Sequence, residues 1–191
     1  MENTNSKDII LSTAVSLFAR KGYEGVGVQE ICTSAGITKP TLYYFFKNKQ
    51  GLLEAVAESK GMELFQHLKD ALVYRHDFIK GLTDALTAEL SFAAEEADFF
   101  KLHCVLLNAA ENSEEKKVYA PLAEKILGLF TDFFMQSTAE FGNMRGKEKL
   151  YALLYHNNIT SLAALRASGR MEFSDETIYR IVHSFVYGVA N

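Results

Sequence analysis

The sequence predicts an all-α protein of about nine helices, with a three-helix head over residues 1–48 and a larger body over residues 49–191. Three observations lead there. Apolar residues recur at spacings of three and four along nearly the whole chain, the period of helices with one buried face. Only 2 prolines and 12 glycines interrupt the 191 residues, and runs of alternating β-branched residues are scarce, which leaves little room for a sheet. A composition of 48% apolar and 23% charged residues is that of a chain able to bury a real core.

Ile9 to Gly22 predicts the first helix, with Ile10, Ala14, Leu17 and Phe18 as its core stripe and Gly22-Tyr23 as its end. A short second helix follows over Val28 to Ala35, burying Val28, Ile31, Cys32 and Ala35. Gly36 sits where a helix C-cap needs positive φ, and Ile37 after it can fold back on the apolar stripe. Thr38 is a good N-cap for a third helix, and Pro40 falls in its first turn, where a missing N–H costs nothing. That helix turns Leu42, Phe45 and Phe46 inward and leaves Thr41, Tyr43 and Tyr44 to other faces. Two helices joined by so tight a glycine turn match the helix-turn-helix plan, in which the second helix lies in the major groove. The two tyrosine hydroxyls can reach phosphate oxygens or base edges, and Lys39, Lys47 and Lys49 place charge at both ends of the helix.

The formal charge of −4 suits nucleic acid only when divided along the chain. Residues 1–50 hold six Lys/Arg against four Asp/Glu, whereas residues 51–191 hold fourteen against twenty. A basic head on an acidic body is the distribution expected of a DNA-contacting protein. Six basic residues per head neutralise few phosphates, so two heads acting together are physically required for tight binding at physiological salt.

The segment GITKPTLYYFFKNKQGLL, residues 36–53, resembles the recognition region of the tetracycline-repressor (TetR) family of bacterial regulators, and Ile9 to Gly22 resembles that family's first helix. The resemblance covers about a quarter of the chain. It implies that Lys39, Pro40, Thr41 and Tyr44 face base edges, that Tyr43 and Lys49 face phosphates, and that Thr38 caps the recognition helix. It also implies a repressor that binds a double-stranded DNA operator as a homodimer and is released by a small effector. The chain departs from the family at Val26 and Gly27, where Thr or Ser is usual; Gly27 caps the second helix only weakly.

Past the head, Lys49 to about Val73 predicts one long connecting helix, with Leu52, Val56, Met62, Phe65, Leu68 and Leu72 mostly on one side and Gly61 marking a bend or a close packing contact. Further helices are predicted near Asp77 to Glu95, Asp98 to Glu111, Glu114 to Phe141, Gly146 to Ser168 and Ser174 to Val189. The last of these shows Ile178, Ile181, Val182, Phe185 and Val189 in a stripe too broad for one neighbour, and its predecessor shows Leu150, Leu154 and Leu162. Two such helices from each of two subunits would form a four-helix interface, as the resemblance also implies. An isologous dimer presents its recognition helices one DNA turn apart, so the operator is expected to be a near-palindrome.

Between the connecting helix and the last two lies an unusual density of aromatic residues. If the body holds a cavity, Met62, Phe65, Phe78, Phe99, Leu106, Phe130, Phe134 and Tyr155 are its candidate walls, and His67, His103, Asn108 and His156 its candidate polar groups. A small hydrophobic or aromatic effector fits such walls best. It need prefer one arrangement of the body by only about 1–3 kcal/mol to couple to DNA.

Other classes fit less well. His103-Cys104 is the only adjacent pair of chemical interest, and neighbours on a helix point apart, so no enzyme is expected. The five histidines show no metal-ligand spacing, and no cofactor is implied. Cys32 and Cys104 are read as reduced thiols, with a redox role for Cys104 the less favoured reading. The N-terminus is polar and no segment approaches the roughly 20 apolar residues of a membrane span, so a cytoplasmic protein without a membrane partner is expected. The surviving alternative is a DNA-binding interaction protein of the same fold, controlled by a protein partner and lacking an effector.

Overall fold

The computed structural model describes the backbone of residues 2–140 and 144–189, and the side chains of residues 6–140 and 144–188. Helix follows helix: α1 (Glu2–Lys21), α2 (Val28–Ala35), α3 (Lys39–Phe46), α4 (Lys49–Val56), a π turn (Ala57–Gly61), α5 (Met62–Ala71), α6 (Phe78–Glu95), α7 (Ala97–Leu107), α8 (Glu114–Ser137), α9 (Glu148–Ala167) and α10 (Asp175–Val189). No strand occurs among the described residues. With α4, the π turn and α5 counted as one continuous run, the described residues form nine helices, as the sequence predicts.

The connecting helix differs from expectation in one physical respect. A π turn holds an extra residue, so the helix after it is rotated by about a third of a turn relative to an unbroken α-helix. Leu52, Val56, Leu68 and Leu72 are buried as expected, joined by Leu53, Ala57, Gly61 and Leu64, while Met62, expected on the inner face, is exposed and Phe65 only half-buried. A Cβ on Gly61 would collide with the Leu122 side chain, so close packing is one reason for glycine there. Helix α8 ends at Ser137, and Phe141, Gly142 and Asn143, expected to finish it and form the next turn, lie outside the described residues. Pro121 stands inside α8, removing the N–H that Lys117 would otherwise bond.

Two compact units share the chain, the first Met1–Met62 with Asp98–Leu122 and the second Glu63–Ala97 with Ala123–Asn191. In the first, Ile10, Ala14, Leu17 and Phe18 of α1 are buried as predicted, together with Ile31 and Cys32 of α2 and Leu42 and Phe46 of α3. Tyr23 is 2% exposed and donates its hydroxyl to Glu114 Oε2 at 2.6 Å. His103 and Tyr119 form a buried hydrogen bond of 2.6 Å in the same unit.

The second unit is built on α6, which packs against α9 and α10. Tyr155 reaches from α9 to donate to the carbonyl of Leu82 at 2.6 Å. Phe133 stacks on Phe78 with centroids 5.8 Å apart and planes 13° apart, and Phe134 meets Phe78, Tyr155 and Phe185. Gly81 lies beneath the Phe133 ring, where a Cβ would overlap Cε2 and Cζ. Gly81→Ala is therefore expected to lower stability by about 1–3 kcal/mol, read as a fall in urea midpoint at constant slope. An unchanged midpoint would mean that the ring moves aside freely.

Candidate nucleic-acid interface

The head's geometry follows from three local signals. Gly36 adopts φ 66° and ψ 31°, and the N–H groups of Gly36 and Ile37 return to the carbonyls of Thr33 and Cys32 at 3.3 and 3.0 Å. That is a Schellman closure, and it stops α2 one residue after Ala35. Thr38 has extended backbone, and its hydroxyl accepts from the Thr41 N–H at 3.4 Å, capping α3 with Pro40 in its first turn. Gly27 offers α2 no side-chain cap, as the sequence implies.

Once Leu42 and Phe46 are buried, α3 presents one open face. Tyr44 is 73% exposed and Tyr43 44%, and Lys39, Pro40 and Lys47 are exposed beside them, with Thr41 half-buried. No acidic residue lies in α3. These residues form a protruding edge of hydroxyls and ammonium groups suited to a groove lined with phosphates.

Lys49 is placed differently. Its Nζ donates to the carbonyls of Tyr23 and Val26 at 3.1 and 3.3 Å and stands 4.0 Å above the Tyr23 ring. Two of three ammonium hydrogens are thus engaged in fastening the turn after α1, and this role was invisible in the sequence because 26 residues separate the partners.

Along α9, Leu150 and Leu154 are 53% and 44% exposed. Four- and three-residue steps carry their stripe on to Asn158, Ser161 and Leu165, which with Ile181 and Phe185 of α10 line an open groove. Leu162 also lines it. Ile178 and Val182 instead face inward and are buried, and the Val189 side chain lies outside the described residues.

The candidate effector residues are divided between the units. Met62, Phe99, His103 and Leu106 belong to the first, and Phe65, His67, Phe78, Phe130, Phe134 and Tyr155 to the second. Phe99, His103, Leu106, Phe78, Phe130, Phe134 and Tyr155 are buried, and Phe65 is half-buried. Met62 and His67 are at the surface, following the rotation imposed by the π turn; His67 keeps one edge against Phe92. Asn108 is a surface group that bonds the Cys104 carbonyl. Glu89 of α6, which sequence reasoning missed, is fully buried, and Thr160 Oγ1 donates to its Oε1 at 2.7 Å. Burial raises its carboxyl to about 8 and lowers the imidazole of His156 to about 4.

Among the described residues no helix is long and apolar enough to cross a membrane, and no cluster of His, Cys, Asp or Glu could hold a metal.

Residues 10–56 match the family described as bacterial regulatory proteins, tetR family. The chain is 35% identical over 115 residues to the biofilm operon icaADBC HTH-type negative transcriptional regulator IcaR of Staphylococcus epidermidis, covering 58% of this chain and 59% of that protein. It is 30% identical over 108 residues to IcaR of Staphylococcus aureus, covering 55% of each. The match thus spans little more than half the length of these curated relatives. Among solved structures, a putative fatty acid metabolism regulator of Clostridium perfringens superposes with a TM-score of 0.80 at 22% identity, covering 96% of this chain and 99% of that one. The fatty acid degradation regulator FadR of Bacillus halodurans does so with a TM-score of 0.74 at 17% identity, covering 95% and 97%. At such identities the structural likeness shows the fold alone, and the sequence likeness to the family model is confined to the head. The head, residues 10–56, is thus similar in sequence to bacterial regulatory proteins of the tetR family, and the chain shares the fold of the solved regulators named above.

Proposed function

We propose that this chain is a cytoplasmic transcriptional repressor that binds a near-palindromic operator as a homodimer and is released by a small apolar or aromatic effector. Residues 1–48 serve as the DNA-binding head and residues 49–191 as the effector-binding and dimerising body. The observation that supports this best is the exposed edge of α3, where Tyr43, Tyr44, Lys39 and Lys47 stand clear of a helix fixed from behind by Leu42 and Phe46. Lys39, Pro40, Thr41 and Tyr44 read base edges; Tyr43 and Lys47 hold phosphates; Thr38 caps the helix. Lys49 offers a phosphate at most one remaining hydrogen, since it chiefly anchors the turn after α1.

Repression is the sign of control favoured by the relatives, whose name is that of a negative transcriptional regulator. The aromatic interior of the second unit supports an apolar effector, and the names of two structural neighbours, both regulators of fatty acid metabolism or degradation, agree with one. Dimerisation through α9 and α10 is supported by the exposed leucine stripe of α9 and the open groove that it forms with α10. Binding of effector would favour an arrangement of the body in which the two heads no longer match the operator spacing.

The test is salt-dependent binding of the full chain to DNA from upstream of its own gene. Tyr43→Ala and Lys47→Ala should weaken binding to every sequence, the lysine change lowering the salt slope by about 1. Lys39→Ala and Tyr44→Ala should instead redistribute preference among sequences, costing about 1–3 kcal/mol at the affected base pair. If all four variants behave alike, the division into phosphate and base contacts is wrong.

A further inference from the structure

The buried polar side chains among the described residues are Glu89, His103, Ser137, Thr138, His156 and Thr160, with no lysine or arginine. Two of them stand out within the second unit. Glu89 Oε1 accepts from Thr160, but its Oε2 has no hydrogen-bond partner in the protein. His156, one turn before Thr160 on α9 and stacked 4.8 Å from the Phe130 ring, likewise has an unpartnered Nε2. Buried polar atoms are nearly always satisfied, and each exception calls for a cause. A methionine or leucine at position 89 would avoid the penalty altogether, so a carboxyl that satisfies only half its bonding capacity is more economically explained by a task than by architecture.

We propose that the second unit binds a guest bearing a protonated amine on an apolar body, with the ammonium held by the carboxyl of Glu89 and the unpartnered Nε2 of His156 in its accepting tautomer. This rests on reading the body as the effector-binding part and names the chemical class of the effector. Three features select the class. An ammonium supplies up to three N–H donors, matching an acceptor-only carboxylate and a neutral imidazole. A guest carboxylate would meet Glu89 with no buried cation to balance either charge. A neutral alcohol could satisfy one orphan atom but would forgo the stronger charge-assisted bond.

Burial keeps the Glu89 carboxyl protonated near neutral pH while the site is unoccupied. On binding, the ammonium keeps its own three protons, the Glu89 proton leaves to solvent, and the ion pair forms in its place. No bond other than this O–H is broken. His156 remains neutral throughout, because its imidazole already resists protonation in this setting.

The experiment uses three probes of one shape, n-octylammonium, n-octanol and n-octanoate, titrated calorimetrically into the full chain and into Glu89→Gln and Glu89→Met, with thermal unfolding of each apo protein. Gln keeps the volume and an acceptor for Thr160, so its fold is protected. The expected result is that octylammonium binds the natural protein at least about tenfold tighter than octanol, that octanoate binds weakest, and that Glu89→Gln abolishes the preference for the ammonium over the alcohol. Glu89→Met should raise the unfolding temperature, as removal of an unsatisfied functional group does. Equal binding of octylammonium and octanol, or a preference that survives Glu89→Gln, overturns the amine assignment and leaves the effector reading standing. Failure of octylammonium and octanol alike to bind overturns both. A fall in unfolding temperature for Glu89→Met marks the residue as architectural and overturns the proposal.

Discussion

Replacing Leu150 and Leu154 together with glutamate is expected to yield a monomer in sedimentation and to weaken operator binding by about a hundredfold or more. The two leucines lie one turn apart on α9, 53% and 44% exposed, with Leu153 beside them at 42%. About half of each side chain remains to be covered, which contributes about 0.7–1.5 kcal/mol, and in an isologous interface every change acts twice. The introduced carboxylates would face a mirror set across the two-fold axis, where burial and like-charge repulsion both oppose association. The loss at the DNA has a separate origin. A dimer binds its second half-site at high effective concentration, and that gain vanishes when the subunits separate. Binding to an isolated half-site should therefore be unchanged, which distinguishes a broken dimer from a damaged head. Subunit stability should shift by no more than about 0.5 kcal/mol, because both positions face outward. A variant that still sediments as a dimer would move the interface away from this face.

How much of this was legible in the sequence depends on the separation of the residues involved. The α2–α3 turn needed only Gly36, Thr38 and Pro40, neighbours whose backbone preferences are local, and the structure forms the closure and cap they predict. The outward stripe on α9 was likewise a matter of period. The π turn was not legible, since one extra residue in an apolar run fits either register until a packing partner such as Leu122 selects one. Pro121 stands inside α8 without ending it, so the predicted helix holds across it. Glu89 was hidden for another reason: an acid in an amphipathic helix ordinarily faces water, and only Thr160 on α9, 71 residues away, shows that it does not. Lys49 reads as a phosphate contact by type, yet the carbonyls it bonds lie beyond the motif that suggested the role.

Tyr23 is where the largest loss of stability is expected in the first unit. Its ring is 2% exposed, packs 5.2 Å from Phe18, and lies 4.0 Å beneath the Lys49 ammonium, while its hydroxyl meets Glu114 at 2.6 Å. Tyr23→Ala removes the ring and leaves a cavity beside α1, a change that costs about 3–5 kcal/mol for a buried aromatic. Tyr23→Phe keeps the ring and the cation above it and removes only the bond to Glu114. Because that carboxylate is exposed and can return to water, about 1 kcal/mol is expected for the second variant. Urea unfolding of both should give midpoints that differ severalfold in their displacement from the natural protein. Comparable losses would mean that the hydroxyl, not the ring, holds this corner. DNA binding adds a second reading: Glu114 begins α8, which runs from the first unit to Ser137 in the second. If the Tyr23 hydroxyl also fixes the head relative to the start of α8, Tyr23→Phe should weaken operator binding by more than its stability loss requires, whereas Glu114→Gln, which retains an acceptor oxygen for that hydroxyl, should leave operator binding nearly unchanged.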